Sequence, residues 1–273
     1  SERQPISPTQ QCAFLKTHAF GIGSIYIAFA LLTGVRSFRD FYAAQIFEAA
    51  LEIPEGSSPP AWVFFVADLP GAVIAAFVLY AFSKFYCNNH LSALRLMLLV
   101  SCAGAVLIVA STAGFAIFPQ IVGGFVWQIC LGIGIYVAFG ILSCASSERI
   151  IAATETNGTC TFLVFLGDCF GYLVTICILL ARDFAPDHHG DHGDDDDDDN
   201  GGDSNSDPHE VLRTFLMLVC PGMSLAAVML LAARYYFGKW LSPLRRRNGT
   251  EDEVSEAELN TLTMESSESV HDD

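Results

Sequence analysis

Asp68 and Asp168 each stand inside a long apolar stretch and share one local pattern. Val66-Ala67-Asp68-Leu69-Pro70-Gly71 and Leu166-Gly167-Asp168-Cys169-Phe170-Gly171 repeat an apolar-x-Asp-x-x-Gly motif 100 positions apart. A carboxylate in hydrocarbon costs roughly 2.5–3.5 kcal/mol on insertion scales, so such a residue marks a functional position. Around the first Asp the chain supplies Arg36, Arg39 and Asp40, and before the second it supplies Glu148 and Arg149. Each acid thus has an Arg/acid pair at the end of the preceding apolar stretch. Ion pairs that form and break are one way to build the two gates of an alternating-access transporter. The same pairs also serve to stitch helix ends and keep charge out of lipid. Asp168 is expected to be the more deeply placed acid and the better proton or cation site.

The elements that must position these residues are read from hydropathy. Apolar residues make up 52% of the chain and charged ones 16%. Six stretches are long enough for a bilayer core, which takes about 20 helical residues: 20–47, 61–83, 94–118, 121–145, 159–181 and 211–233. None alternates like a barrel strand, so all six are expected to be helices. The fold class expected is an all-α integral membrane protein, with residues 1–18 polar and 239–273 a disordered cytoplasmic tail. An outer loop over 183–209 is likewise expected to be disordered.

Charge placement orients these helices. Lys16, Lys84, Arg95, Arg149, Arg234, Lys239 and Arg245–Arg247 fall on one side, against Arg182 and Arg213, with or without Arg36 and Arg39, on the other. By the positive-inside rule both ends are cytoplasmic. The net charge of −16 does not contradict this, because 20 of the 30 acids lie in residues 183–207 or after Thr250. The membrane body is slightly basic, and nothing points to nucleic acid. The lipid bilayer is the expected surrounding, with plasma and organelle membranes not distinguished.

Weaker signals remain. Gln128, Gly132, Gly134 and Tyr136 sit in a charge-free stretch and are candidates to line a cavity, with interior packing as the plainer role. Trp127 is expected near the interface. His188, His189 and His192 precede six consecutive Asp residues, a composition that suits weak divalent-metal capture or simply a solvated acidic loop. The nine cysteines are odd in number and have no CxxC spacing, as expected for small buried hydrophobes. There is no HExxH, no Gly-x-Ser-x-Gly and no phosphate loop, so neither an enzyme nor a cofactor is expected.

Gly132-Ile133-Gly134-Ile135-Tyr136, Glu148-Arg149-Ile150-Ile151-Ala152, Asp168-Cys169-Phe170-Gly171-Tyr172-Leu173 and Arg36-x-x-Arg39-Asp40-Phe41 together carry a resemblance. The chain resembles a family known as a domain of unknown function and similar to the major facilitator superfamily. That resemblance implies one six-helix half, built as a 3+3 inverted repeat, with an N-terminal six-helix half missing and an unidentified small solute as cargo. The loop at 83–90 lacks the Gly-x-x-x-Asp-Arg-x-Gly pattern of many facilitators. A non-transporting scaffold or receptor, and a divalent-metal transporter using the His/Asp loop, stand as alternatives.

Overall fold

The computed structural model describes residues 7–54, 59–85, 89–154, 160–183 and 208–268. The acidic loop with His188, His189 and His192 lies outside the described residues. Helix α1 (Pro8–Phe41) starts at a capping box in which Ser7 and Gln10 bond each other's backbone, with Pro8 at the first helical position. These are strong start signals, and they carry the helix into the segment expected to be a polar lead through residue 18. Non-helical dihedrals at His18 kink it.

The first apolar stretch is two helices rather than one. The chain breaks at Tyr42, and a short α2 (Ala43–Ala50) follows. Helix α3 (Ala61–Phe85) contains Asp68 and Pro70. Asn89 caps α4 (His90–Ile117) by accepting from the Ser92 amide. Helix α5 (Gly124–Gly140) continues through a π-helical turn, Ile141–Ala145, into α6 (Ser146–Ala153). Helix α7 covers Thr161–Asp183 and α8 covers Pro208–Glu268. Of the segment 239–273, expected as a disordered tail, the residues to Glu268 belong to α8; Glu, Leu, Ala and Met supply helix-forming residues beyond Pro243.

Six helical segments are long and apolar enough to cross a membrane: 8–41, 61–85, 90–117, 124–153, 161–180 and 208–239. A multi-pass membrane protein follows, and no strand occurs among the described residues. Helix α1 packs on α7 and α8, α4 packs on α5 and α8, and α3 packs on α5. One large apolar core joins α1, α4, α5 and α8. Trp127 belongs to it, fully buried and stacked on Phe115 with ring centroids 4.5 Å apart. Its indole N–H donates to Thr112 Oγ1 at 3.2 Å, which satisfies the polar edge inside the core rather than at an interface.

Glycine sets two seams. A Cβ on Gly71 would lie 2.8 Å from the carbonyl oxygen of Gly132, and one on Gly134 would lie 2.7 Å from that of Gly104. Only glycine permits such approach of backbones. Gly132 and Gly134, expected to line a cavity, are thus packed into the α3/α5 and α4/α5 seams.

Candidate functional site

The connections place the C-terminal end of α1 beside the N-terminal ends of α3 and α5. Arg39 sits in the last turn of α1, and Asp68 is the eighth residue of α3, about 10 Å along its axis at 1.5 Å per residue. Arg39 is long enough to cross to it. Its Nη2 donates to Asp68 Oδ1 at 2.7 Å, and its Nε donates to Gln128 Oε1 at 3.0 Å. The other carboxylate oxygen, Oδ2, accepts from the Tyr136 hydroxyl at 3.3 Å. Three spanning segments thus converge on one carboxylate.

Burial makes this pair consequential. The Arg39 side chain is 5% exposed and that of Asp68 34%. Inside a bundle the two charges gain more from each other than at a surface, but each costs several kcal/mol to desolvate. The extra bonds from Tyr136 and to Gln128 offset part of that cost. Gln128 Nε2 is buried and has no hydrogen-bond partner among the described residues. It leaves one donor available inside the cluster.

Arg36 and Asp40 lie on the rim. Their contact is 3.6 Å between Nε and Oδ2, both side chains are more than a third exposed, and the Arg36 guanidinium rests 4.6 Å above the Phe139 ring. An exposed i,i+4 pair contributes about 0.3–0.5 kcal/mol. The inner pair of the cluster, Arg39 and Asp68, is the strong one.

The opposite end of the bundle is arranged differently. Arg149 Nη1 lies 2.8 Å from His90 Nδ1. A guanidinium has no acceptor, so His90 Nδ1 accepts and the imidazole proton sits on Nε2. A cavity of about 510 Å³ opens here, with His90, Glu148, Arg149, Cys160 and Thr161 in its wall. The π-turn just before α6 delivers Glu148 and Arg149 to that wall, and inserted turns of this kind often re-aim side chains at functional positions.

Asp168 is the eighth residue of α7, the same place in its helix that Asp68 has in α3. It is half-buried and within electrostatic reach of Tyr26, whose hydroxyl donates to the Leu163 carbonyl at 2.6 Å. The ion pairs among the described residues are Arg36–Asp40 and Arg39–Asp68; Asp168 takes part in neither. The structure therefore brings Arg39, Asp68, Gln128 and Tyr136 together and leaves Asp168 apart from Arg149.

His90 escaped the sequence reading. Its signal was the Asn89-His90 step at the start of a span on the same side of the membrane as Arg149. No group of three or more His, Cys, Asp and Glu residues able to hold a metal occurs among the described residues.

No curated protein and no solved structure matches the chain. A family match covers residues 1–190, which takes in the first five spans and both Asp motifs and stops short of α8. The chain belongs to the family of unknown function DUF5690.

Proposed function

We propose that this chain is a six-helix unit of a secondary transporter similar to the major facilitator superfamily, held here with its outer gate closed and its inner gate parted. The observation that carries this reading is the contrast between the two ends. Arg39 and Asp68 are in contact at 2.7 Å, whereas Arg149 is bonded to His90 beside a cavity and Asp168 is in no ion pair among the described residues. Alternating access requires one closed and one open end at a time.

The packing supports a 3+3 repeat. Exchanging the first three spans for the last three turns the α1/α7 contact into the α5/α3 contact and α1/α8 into α5/α4, and leaves α4/α8 unchanged. All of these contacts are present. The Asp motifs obey the same exchange. Gly71 faces Gly132 on the first span of the second triplet, and Gly171 faces Phe29 and Thr33 on the first span of the first triplet. Exposed Trp62, Phe65 and Phe77 on α3, with Phe165, Tyr172 and Leu173 on α7, give the apolar surface that lipid and a second six-helix half would cover. The solute is small and unidentified.

Cys160 in the cavity wall gives the test. In the full chain with Cys160 as its single cysteine, a membrane-impermeant maleimide should label it from the cytoplasmic side. Arg39→Gln, by weakening the outer gate, should lower that labelling severalfold and raise labelling of a cysteine placed at Phe64. A folded Arg39→Gln protein with unchanged labelling at both positions would leave Arg39–Asp68 as a static tie, the arrangement a scaffold needs.

A further inference from the structure

Helices α4 and α8 run antiparallel along one seam: Cys102 donates to the Ala227 carbonyl, and two turns earlier Arg95 meets Gly238. The Arg95 guanidinium lies against Gly238, with Nε, Cζ and Nη2 at 3.2, 3.3 and 3.4 Å from where a Cβ would stand. A side chain at 238 would make it give by a few tenths of an ångström. Arg234, one turn before Gly238 on the same face, is half-buried. Its Nε is buried and has no hydrogen-bond partner among the described residues.

Two guanidiniums therefore share the end of one seam, and neither is in an ion pair among the described residues. No acid is at hand in these helices. Residues 90–117 of α4 and 211–239 of α8 contain neither Asp nor Glu, and Lys239 adds a third cation. An unpaired buried guanidinium donor costs more than it returns. That cost falls on Arg234, which is half-buried, whereas Arg95 is exposed. Two like charges on one seam also repel, and an anion between them would relieve both costs.

The surroundings say what kind of anion. Arg234 falls inside the apolar span 208–239, about 5.4 Å, or one helical turn, deeper than Gly238. From inside the span its long side chain can reach outward to the headgroup region, where a lipid phosphate lies. One turn deeper still, Leu99 and Leu231 are exposed and offer a surface for an acyl chain. Tyr235 is exposed beside them, with Lys239 Nζ 5.9 Å from its ring centroid. We infer that the Arg95/Arg234 end of the α4/α8 seam binds an anionic phospholipid, its phosphate forked by the two guanidiniums and an acyl chain lying along Leu99 and Leu231. Basic pockets between spanning helices hold acidic headgroups in this way, and the planar fork of Arg suits the tetrahedral phosphate.

The test is a titration of the full chain in detergent with phosphatidylglycerol and with phosphatidylcholine, followed by native mass spectrometry. The wild-type chain should bind the anionic lipid and discriminate against the zwitterionic one. Arg95→Gln/Arg234→Gln should weaken phosphatidylglycerol binding about thirtyfold, at roughly a factor of five per lost charge near a membrane surface. Arg213→Gln, at the other end of α8, should not change it. If the double variant does not fold, the single Arg95→Gln, at an exposed position, should still weaken binding about fivefold. Equal binding by the wild-type chain and a folded variant would overturn the inference. So would displacement of the lipid by millimolar inorganic phosphate, which would assign the seam to a soluble anion.

Discussion

Arg39 Nη2 and Asp68 Oδ1 stand 2.7 Å apart although 29 residues separate them in the chain. The contact joins the end of the first span to the second turn of the next, and the Gln128 and Tyr136 side chains of a third span complete it. Losing Arg39 would strand a carboxylate, and losing Asp68 would strand a guanidinium that is 5% exposed.

Asp68→Asn and Arg39→Gln should each lower stability, by about 3 kcal/mol for a pair with one partner a third exposed. The double variant should lose less than the sum, because it leaves no lone charge. Denaturant unfolding of the purified chain in detergent, run as a double-mutant cycle, measures the coupling. Additive losses would mean that the two side chains do not interact in the membrane.

Gly134→Ala should destabilise by about 1–3 kcal/mol, as overpacking a tight seam does, since its Cβ would come within 2.5 Å of Ile108 Cγ1. Gly23→Ala is the control: a Cβ there meets nothing within 4 Å, and alanine is the better helix former. Its melting temperature should hold or rise. Equal effects at the two glycines would contradict the α4/α5 seam.

His90 should be observed as the Nε2–H tautomer by nitrogen-15 NMR of histidine-labelled protein, because Arg149 can only donate to Nδ1. His90→Lys puts a second cation against Arg149 and should cost about 1 kcal/mol or more, the value of the lost hydrogen bond plus repulsion. His90→Asn, which keeps an acceptor, should cost less. A resonance pattern with the proton on Nδ1 would rule this contact out.

Protease added to the outside of sealed cells should cut within residues 183–207 and leave the 245–273 segment intact. That pattern follows from the Lys/Arg asymmetry across the six spans. Cleavage between Arg245 and Asp273 from outside would reverse the orientation.

Much of the architecture was legible because lipid removes options. A backbone crossing hydrocarbon must satisfy its own hydrogen bonds, so long apolar stretches dictate helices and their number. Boundaries were less legible. The break at Tyr42 lies in an apolar stretch that reads as continuous. At the π-turn over 141–145 the Ser143 and Ser146 hydroxyls bond back to the Gly140 and Leu142 carbonyls, which residue types alone do not announce. The start of α1 at Pro8 was written in the Ser7-Pro8-x-Gln10 cap, a local signal easily masked by the polar residues around it.

The sequence by itself determined the spans, the charge asymmetry between their ends, and the paired Asp motifs, because each depends on residue type and spacing along one chain. Partnership among the charges was decided only by tertiary structure. Asp68 and Asp168 have the same motif and the same place in their helices, yet Asp68 meets Arg39 while Arg149 bonds to His90 and Asp168 stays apart. Which cation reaches which carboxylate depends on how neighbouring helices rotate and approach. Here close glycine contacts such as Gly71 on Gly132 and Gly134 on Gly104 set that approach, and such contacts join residues tens of positions apart that no local pattern connects.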